Sequence, residues 1–130
     1  MSPRWILPTV VSQSCAEELA LSRKAERRDE LPTAWRHFQR AHILGQTAVW
    51  AHIWVHLTML RFAVVHWNRR EIVGQLVRIV IAGPGSYSGR VPLGDTGAAR
   101  APFPPAPIPE DLRVVLQAGD VAVPPVAGRV

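Results

Sequence analysis

The feature that most constrains this fold is the stretch AHILGQTAVWAHIWVHLTMLRFAVVHW, residues 41–67. It is the most apolar part of the chain and holds four of its five histidines. Its periodicity predicts a turn followed by a long helix, on which His52, His56 and Met59 fall within one narrow sector. At about 1.5 Å of rise per residue these three follow one another within two turns, whereas His66 lies roughly 15 Å beyond His56. The first three can therefore share a site that His66 does not easily reach.

A further histidine, His42, precedes the turn. We expect Gly45 to end the preceding helix in a left-handed conformation and Thr47 to cap the next helix with its side chain. Such a turn folds His42 back towards the histidine pair of the long helix. Three imidazoles and one thioether are therefore predicted to converge.

This set of side chains points to a transition-metal site. Two histidines at i and i+4, with a methionine three residues further, match the geometry by which helices present ligands to zinc, copper or iron. A third histidine from across the turn leaves one coordination position open, and a thioether favours copper over calcium or magnesium. We predict a small metal-binding accessory protein for copper or zinc, with His42, His52 and His56 as ligands and Met59 as a candidate fourth.

The alternative interpretation is structural. Histidines on a buried helix face often donate hydrogen bonds to carbonyl oxygens, here for example those of Gln46 or Gln75, and a buried methionine is usually core filler. The histidines would then only hold the hairpin together. The chain would be a non-catalytic helical module that meets a protein partner or forms a homodimer.

An enzymatic role is less well supported by the residues. No carboxylate occurs between Glu30 and Glu71, so a general base for the histidine site would have to come from elsewhere in the chain. Cys15 could act with a histidine as a nucleophile pair, but no motif accompanies it. We expect that a side-chain carboxylate close to His52 would be needed for catalysis.

Length, cysteine content and hydropathy set further bounds. With 130 residues and 14.4 kDa, the chain is sized for one small domain. Its single cysteine excludes an internal disulfide, which favours a reducing compartment, and we expect a cytoplasmic protein. Pro8 interrupts the apolar run near the N-terminus, and the histidines with Arg61 make the long helix costly in lipid. We therefore expect no membrane association.

The formal net charge of +5 raises nucleic acid as a partner. The excess is confined to residues 1–85, which carry eleven Lys/Arg and six Asp/Glu, whereas the remainder carries four of each. The arginine pairs 27–28 and 69–70 fall at predicted helix ends, where arginine complements the helix dipole. No nucleic-acid motif accompanies them, so we expect no nucleic-acid partner.

The predicted fold is all-α. A first helix starts at Ser14 or Cys15, and three further helices are predicted at about 33–44, 48–67 and from Glu71 to a stop at Gly83-Pro84-Gly85. A weak internal sequence repeat, with a spacing of about forty residues, suggests two packed helical hairpins, arranged as in tetratricopeptide repeats or a short α-solenoid. On the second helix, His37 is predicted to be exposed and without a partner.

The rest of the chain is expected to be irregular. Nine of the twelve prolines follow Gly83, which predicts an extended Pro/Gly-rich arm over the helices, with one short closing helix that starts at Glu110 after Pro109. The expected organisation is a loose leader at 1–14, a four-helix core at 15–85, the arm with its closing helix at 86–117, and a frayed tail at 118–130.

The chain also resembles a known family through a set of motifs: AHILGQ, the paired histidines of HIWVHLTML, GQLVR, GRVPLGDTG and PIPEDL, in this order over about residues 15–116. It is similar to an uncharacterised bacterial family, classed only as a domain of unknown function. The resemblance implies small cytoplasmic helical-hairpin proteins with no assigned reaction. It also implies that the family's recurrent polar and small residues lie here at His42, Gln46, His52, His56, Gly74 and Gln75. The chain differs from the family at Gln39, where a glutamate is expected, and this removes a possible carboxylate ligand for a di-iron type of site.

Overall fold

The computed structural model describes residues 4–88 and 107–125, with the side chains of 81–88 excepted. The all-α prediction is confirmed, because these residues contain helices and no strand. The helices are α1 (Thr9–Arg27), α2 (Leu31–Gly45), α3 (Val49–Val65), α4 (Arg69–Ser88) and α5 (Glu110–Ala118). Among these helices, none combines the length and apolar character needed to cross a membrane.

The helices are packed in pairs. α1 lies against α2 and α3 against α4, while α2 joins the two pairs through α3 and α5 packs on α1 and α2. Apolar side chains from α1, α2, α3 and α5 form one core, and its largest fully buried members are Phe38, Leu44, Met59, Leu116, Val11 and Val55. The predicted closing helix is confirmed, since α5 begins at Glu110 with Pro109 as its N-cap residue.

Three helices end in the same way. A left-handed residue follows each helix: Asp29 after α1, Trp67 after α3 and Asp120 after α5, with φ of 58°, 54° and 55°. The next N–H then donates back to a carbonyl five residues earlier, at 3.0, 2.9 and 3.0 Å. This is the bond of a Schellman-type helix end, which satisfies carbonyls that have no partner inside the helix. The turns of the α1–α2 and α3–α4 hairpins therefore share the same backbone conformation.

The connection between α2 and α3 differs from the predicted one. Gly45 is the last helical residue of α2 and is not left-handed, and Gln46 after it is right-handed with φ −64°. Ala48 is the N-cap residue of α3, while the Thr47 hydroxyl donates to the Leu44 carbonyl at 3.2 Å. The left-handed Gly45 and the Thr47 cap were therefore wrong. Gly45 instead lies at a tight contact between the helices, because a Cβ there would lie 3.1 Å from Val55 Cγ2.

The predicted loose leader is shorter and more ordered than expected. α1 begins at Thr9, ahead of the predicted start at Ser14 or Cys15. The carbonyls of Arg4 and Trp5 accept hydrogen bonds from the N–H groups of Val49 and Trp50, at 3.0 and 3.4 Å. The physical reason is that α3 lacks a side-chain cap, so its first N–H groups need other acceptors.

The end of α4 also differs from expectation. The helix continues through Gly83-Pro84-Gly85 to Ser88, because one proline removes a single backbone hydrogen bond and can bend a helix without ending it. The predicted proline-rich arm falls mostly on residues 89–106, which lie outside the described residues. The predicted frayed tail is packed as far as its described part goes, with Val121 and Val123 against the core.

The close contact at Gly45 yields a prediction. Gly45→Val should lower the free energy of unfolding by about 1–3 kcal/mol, the usual effect of overpacking, because the added methyl groups meet Val55 and the Ala51 carbonyl. Valine is a better helix former than glycine, so helix propensity does not account for a loss. Urea unfolding followed by circular dichroism measures it. Equal or higher stability would show that α2 and α3 are not this close.

Candidate metal centre

Three histidine side chains meet at one point in the interior. The Nε2 atoms of His42, His52 and His56 form a nearly equilateral triangle, with His42 at 3.0 Å from His52 and at 3.1 Å from His56, and the remaining edge at 3.1 Å. All three residues are buried, with 0%, 3% and 1% of their surface exposed. Among the described histidine, cysteine and acidic residues, these three form the one group close enough to hold a metal ion. We call this group the histidine triangle.

The triangle is assembled from two helices by the predicted fold-back. His42 lies in the last turn of α2, and His52 and His56 are one turn apart on the buried side of α3. The short connection through Gln46 and Ala48 keeps the helices antiparallel neighbours, with the Ala48 N–H donating to the Gly45 carbonyl at 3.1 Å. The predicted convergence of the three imidazoles is confirmed, although the turn that produces it is not the predicted one.

A hydrogen-bonded chain from α4 fixes one corner of the triangle. Gln75 Nε2 donates to Glu71 Oε2 at 3.2 Å, which directs the Gln75 carbonyl oxygen to His56 Nδ1 at 2.7 Å. Because a carbonyl oxygen can only accept, His56 Nδ1 carries a proton. In the neutral imidazole, Nε2 is then the acceptor nitrogen, and it faces the triangle. Partners of this kind orient the histidine ligands of metal sites.

One of these hydrogen bonds, between His56 and Gln75, agrees with an expectation from the sequence. Gln75 was expected to accept a hydrogen bond under the structural interpretation of the histidines, and it does so from His56. The sequence predicts Glu71 only as the first residue of a helix. In the structure it is 9% exposed and faces inwards with Gln75. The spacing i, i+4 of two polar residues on α4 was the available signal. Glu71 also lines a cavity of about 280 Å³ with Trp35 and Phe62, so the chain joins the triangle to accessible space.

The triangle has nearly the size that a small metal ion requires. Zinc binds imidazole nitrogen at about 2.0–2.1 Å, which in a tetrahedral site separates the nitrogens by roughly 3.3 Å. The observed separations of 3.0–3.1 Å differ from this by a few tenths of an ångström. Small rotations of the side chains are enough to reach it. The residues therefore fit a metal with three nitrogen ligands.

The other predicted residues of this helix lie where expected. Met59 is fully buried one turn beyond His56 and belongs to the apolar core, and its sulfur as a fourth ligand stays a prediction. His66 is outside the triangle and contacts Glu26 at 2.9 Å. Burial alone would raise the pKa of Glu26, but hydrogen bonds from Arg61 and His66 outweigh it and lower that pKa below its usual value.

Two other sequence expectations concern His37 on α2 and Cys15 on α1. The prediction that His37 is exposed and without a partner is wrong, because its Nδ1 lies 2.6 Å from Glu18 Oε2. The other oxygen of the same carboxylate, Oε1, accepts a hydrogen bond from Arg40. The partner comes from a different helix and was invisible to local patterns. Cys15 is buried beside the Ala41 carbonyl, and burial, with a smaller contribution from Glu18, raises the pKa of its thiol to about 12. It is therefore a protonated core residue at neutral pH.

Comparison with protein families gives one match. The family described as "Protein of unknown function (DUF3703)" matches residues 9–116, which is most of the chain and contains the whole histidine triangle together with Glu71 and Gln75. Nothing matched among curated proteins or among solved structures.

The environment of Cys15 predicts slow thiol chemistry. A pKa raised from 9.0 to about 12 lowers the thiolate fraction near pH 8 by about 1,000-fold, and the thiolate is the reactive form. The native protein should therefore react slowly with a disulfide reagent such as DTNB, and rapidly once unfolded in guanidinium. Since Cys15 is the only cysteine, the unfolded sample is the matched control. Fast stoichiometric labelling of the native protein would reopen a nucleophilic role.

Proposed function

The chain belongs to the DUF3703 family, and we propose that it is a small cytoplasmic metal-binding accessory protein that handles copper or zinc. Its ligands are His42, His52 and His56, with Met59 as a candidate fourth. The observation that carries the proposal is the buried triangle of Nε2 atoms with edges of 3.0–3.1 Å.

A cation explains this triangle better than hydrogen bonds do. Each edge joins two imidazole nitrogens, and one hydrogen atom forms a good hydrogen bond along one edge only. His56 directs its proton to Gln75, so in its neutral form it offers the triangle a lone pair and no hydrogen. A metal ion near the centre accepts lone pairs from all three corners together.

The donor set supports a handling role for copper or zinc. Imidazole nitrogen suits both metals, whereas calcium and magnesium prefer oxygen ligands. Three protein ligands leave a coordination position for a thioether or for a donor from another molecule. A protein that receives and passes on a metal needs such a position, since exchange proceeds through an incoming ligand.

A helical interaction module with structural histidines is the second candidate. The hydrogen bond from His56 to Gln75 favours it, because that interpretation expected such a partner. In that case the triangle stabilises the α2–α3 connection and metal content has no role. An enzymatic use would need a carboxylate at the triangle. Among the described residues, Glu71 is linked to the triangle through Gln75.

The finer architecture is part of the same proposal. We infer that the hairpins stack as in tetratricopeptide repeats or a short α-solenoid; the predicted proline-rich arm lies mostly outside the described residues. The recurrence of the left-handed turn at Asp29 and Trp67, close to the forty-residue repeat in the sequence, supports this arrangement.

The proposal predicts metal retention that depends on the triangle. Protein loaded with copper or zinc and desalted should retain about one equivalent by elemental analysis. His52→Ala/His56→Ala should retain almost none, because two of three ligands are lost. His37→Ala/His66→Ala is the matched control, since both of its histidines lie outside the triangle, and it should retain metal like the unaltered protein.

Two results would contradict this prediction. Equal retention by the unaltered protein and the triangle variant removes the metal site. If the triangle variant also melts at a lower temperature with unchanged metal content, the structural module replaces the metal-binding role. Circular dichroism of each variant checks that its helices are intact.

A second prediction concerns the hydrogen bond between Gln75 of α4 and His56. Gln75→Leu removes the acceptor that orients His56 and should raise the dissociation constant for the metal about 10- to 100-fold. Gln117→Leu, the same change at an exposed site on α5, should leave it unchanged. Competition titration with a chelator measures both. A constant within a factor of two in Gln75→Leu would show that Gln75 does not position a ligand.

A further inference from the structure

The polar and apolar sides of α4 are reversed relative to those of a usual surface helix. On α4, the buried residues include Glu71 and Gln75, at 9% and 0% exposure. The opposite side of the same helix exposes four aliphatic side chains to between 50% and 77%, namely Val73, Leu76, Val77 and Val80. A helix on the surface of a lone monomer normally shows the opposite arrangement. The exposed side of α4 therefore suits contact with another apolar surface.

The other helix of the hairpin is apolar on both sides. Its inner side carries His52, His56 and the core residue Met59. Its outer side exposes Trp50 at 61%, Trp54 at 59%, Leu57 at 42% and Val64 at 51%, positions that recur at helical spacing. A helix that is hydrophobic all round is expected to be covered on all sides.

Trp67 adds an independent observation at the end of the hairpin. It has φ 54°, a conformation that costs energy for a bulky side chain, and its ring is 76% exposed. The equivalent positions after α1 and α5 are aspartates, which adopt this conformation more readily. A large ring at this strained and exposed site is explained if a partner surface covers it.

Added over the exposed sides of α3 and α4, the apolar area matches what a stable protein interface takes from one partner. The apolar face comprises Trp50, Trp54, Leu57, Val64, Trp67, Val73, Leu76, Val77 and Val80. From their exposed fractions, and about 150–250 Å² for a whole aromatic side chain, these residues together expose on the order of 900 Å². A standard interface takes about 800 Å² from each partner. Exposed apolar patches on monomers rarely exceed a few hundred Å².

Charge favours a protein partner over an anionic membrane. Arg61 is the one charged residue on α3 besides its histidines, and its guanidinium is paired with Glu26 of the same chain at 2.5 Å. It is therefore already neutralised and offers little to lipid headgroups. Interface cores are enriched in tryptophan, and this face holds three, with the Arg69 guanidinium 6.0 Å from the centre of the Trp67 ring.

We propose that a second copy of this chain covers the apolar face, so that two α3–α4 hairpins pack together as a four-helix bundle. A copy of the chain supplies a matching apolar face of equal size, and most oligomers of soluble proteins are symmetric dimers of this kind. The second copy then packs against the outer side of α3, the helix whose inner side carries His52 and His56. The proposal does not depend on whether the histidine triangle binds metal.

Sedimentation of the full chain over a concentration series tests this. The unaltered protein should sediment at twice its mass of 14.4 kDa and dissociate on dilution. Trp54→Glu/Val77→Glu should raise the dimer dissociation constant at least about 30-fold, as expected for interface hot spots. Leu21→Glu/Val114→Glu is the matched control, with two exposed apolar residues outside the hairpin, and it should remain dimeric.

The proposal is overturned if the unaltered protein stays at 14.4 kDa throughout, or if the hairpin variant dimerises like the control. Cosedimentation of a monomer with phosphatidylcholine/phosphatidylglycerol vesicles would assign the face to lipid and also overturn it. Circular dichroism shows whether the hairpin variant is folded. Should that variant unfold, Leu57→Glu alone serves as the second variant, and a monomeric, folded Leu57→Glu protein supports the dimer.

Discussion

The close contact between the end of α2 and the first turns of α3 is the constraint on which the rest of this structure depends. Gly45 lies where a Cβ would be 3.1 Å from the Val55 side chain and 3.4 Å from the Ala51 carbonyl oxygen, so the two helices are in close contact at this point. The contact places His42 against the histidine pair of α3. It also sets the direction of α3, and with it the side of the hairpin that becomes interior.

The interior position of polar groups has consequences for the outer surface. The inner sides of α3 and α4 carry His52, His56, Glu71 and Gln75, which are buried and linked to one another. Polar groups inside must be fully paired, and a ring of nitrogens is paired best around a cation. With these inner positions occupied, much of the apolar surface of the hairpin faces outwards, where it can bind a partner. A single arrangement of the hairpin thus accounts for both the candidate metal centre and the exposed tryptophans.

Much of this could be predicted from the sequence, because the relevant patterns are local. The sector containing His52 and His56 follows from helical periodicity alone, and the start of α5 follows from Pro109 and the acidic residues after it. The errors arose where partners come from distant parts of the chain. His37 contacts Glu18 from another helix, and the start of α3 is capped by carbonyls of the N-terminal segment instead of by Thr47.

An all-α chain with three histidines able to converge follows from local sequence patterns, because backbone geometry fixes the spacing of side chains along a helix. The meeting of their Nε2 atoms at 3.0–3.1 Å, and the orientation of His56 by Gln75 and Glu71, result from the packing of α2, α3 and α4. The same packing also decides which side of α3 and α4 is exposed. These distances depend on how separate helices pack, and packing depends on contacts between residues that are far apart in the chain.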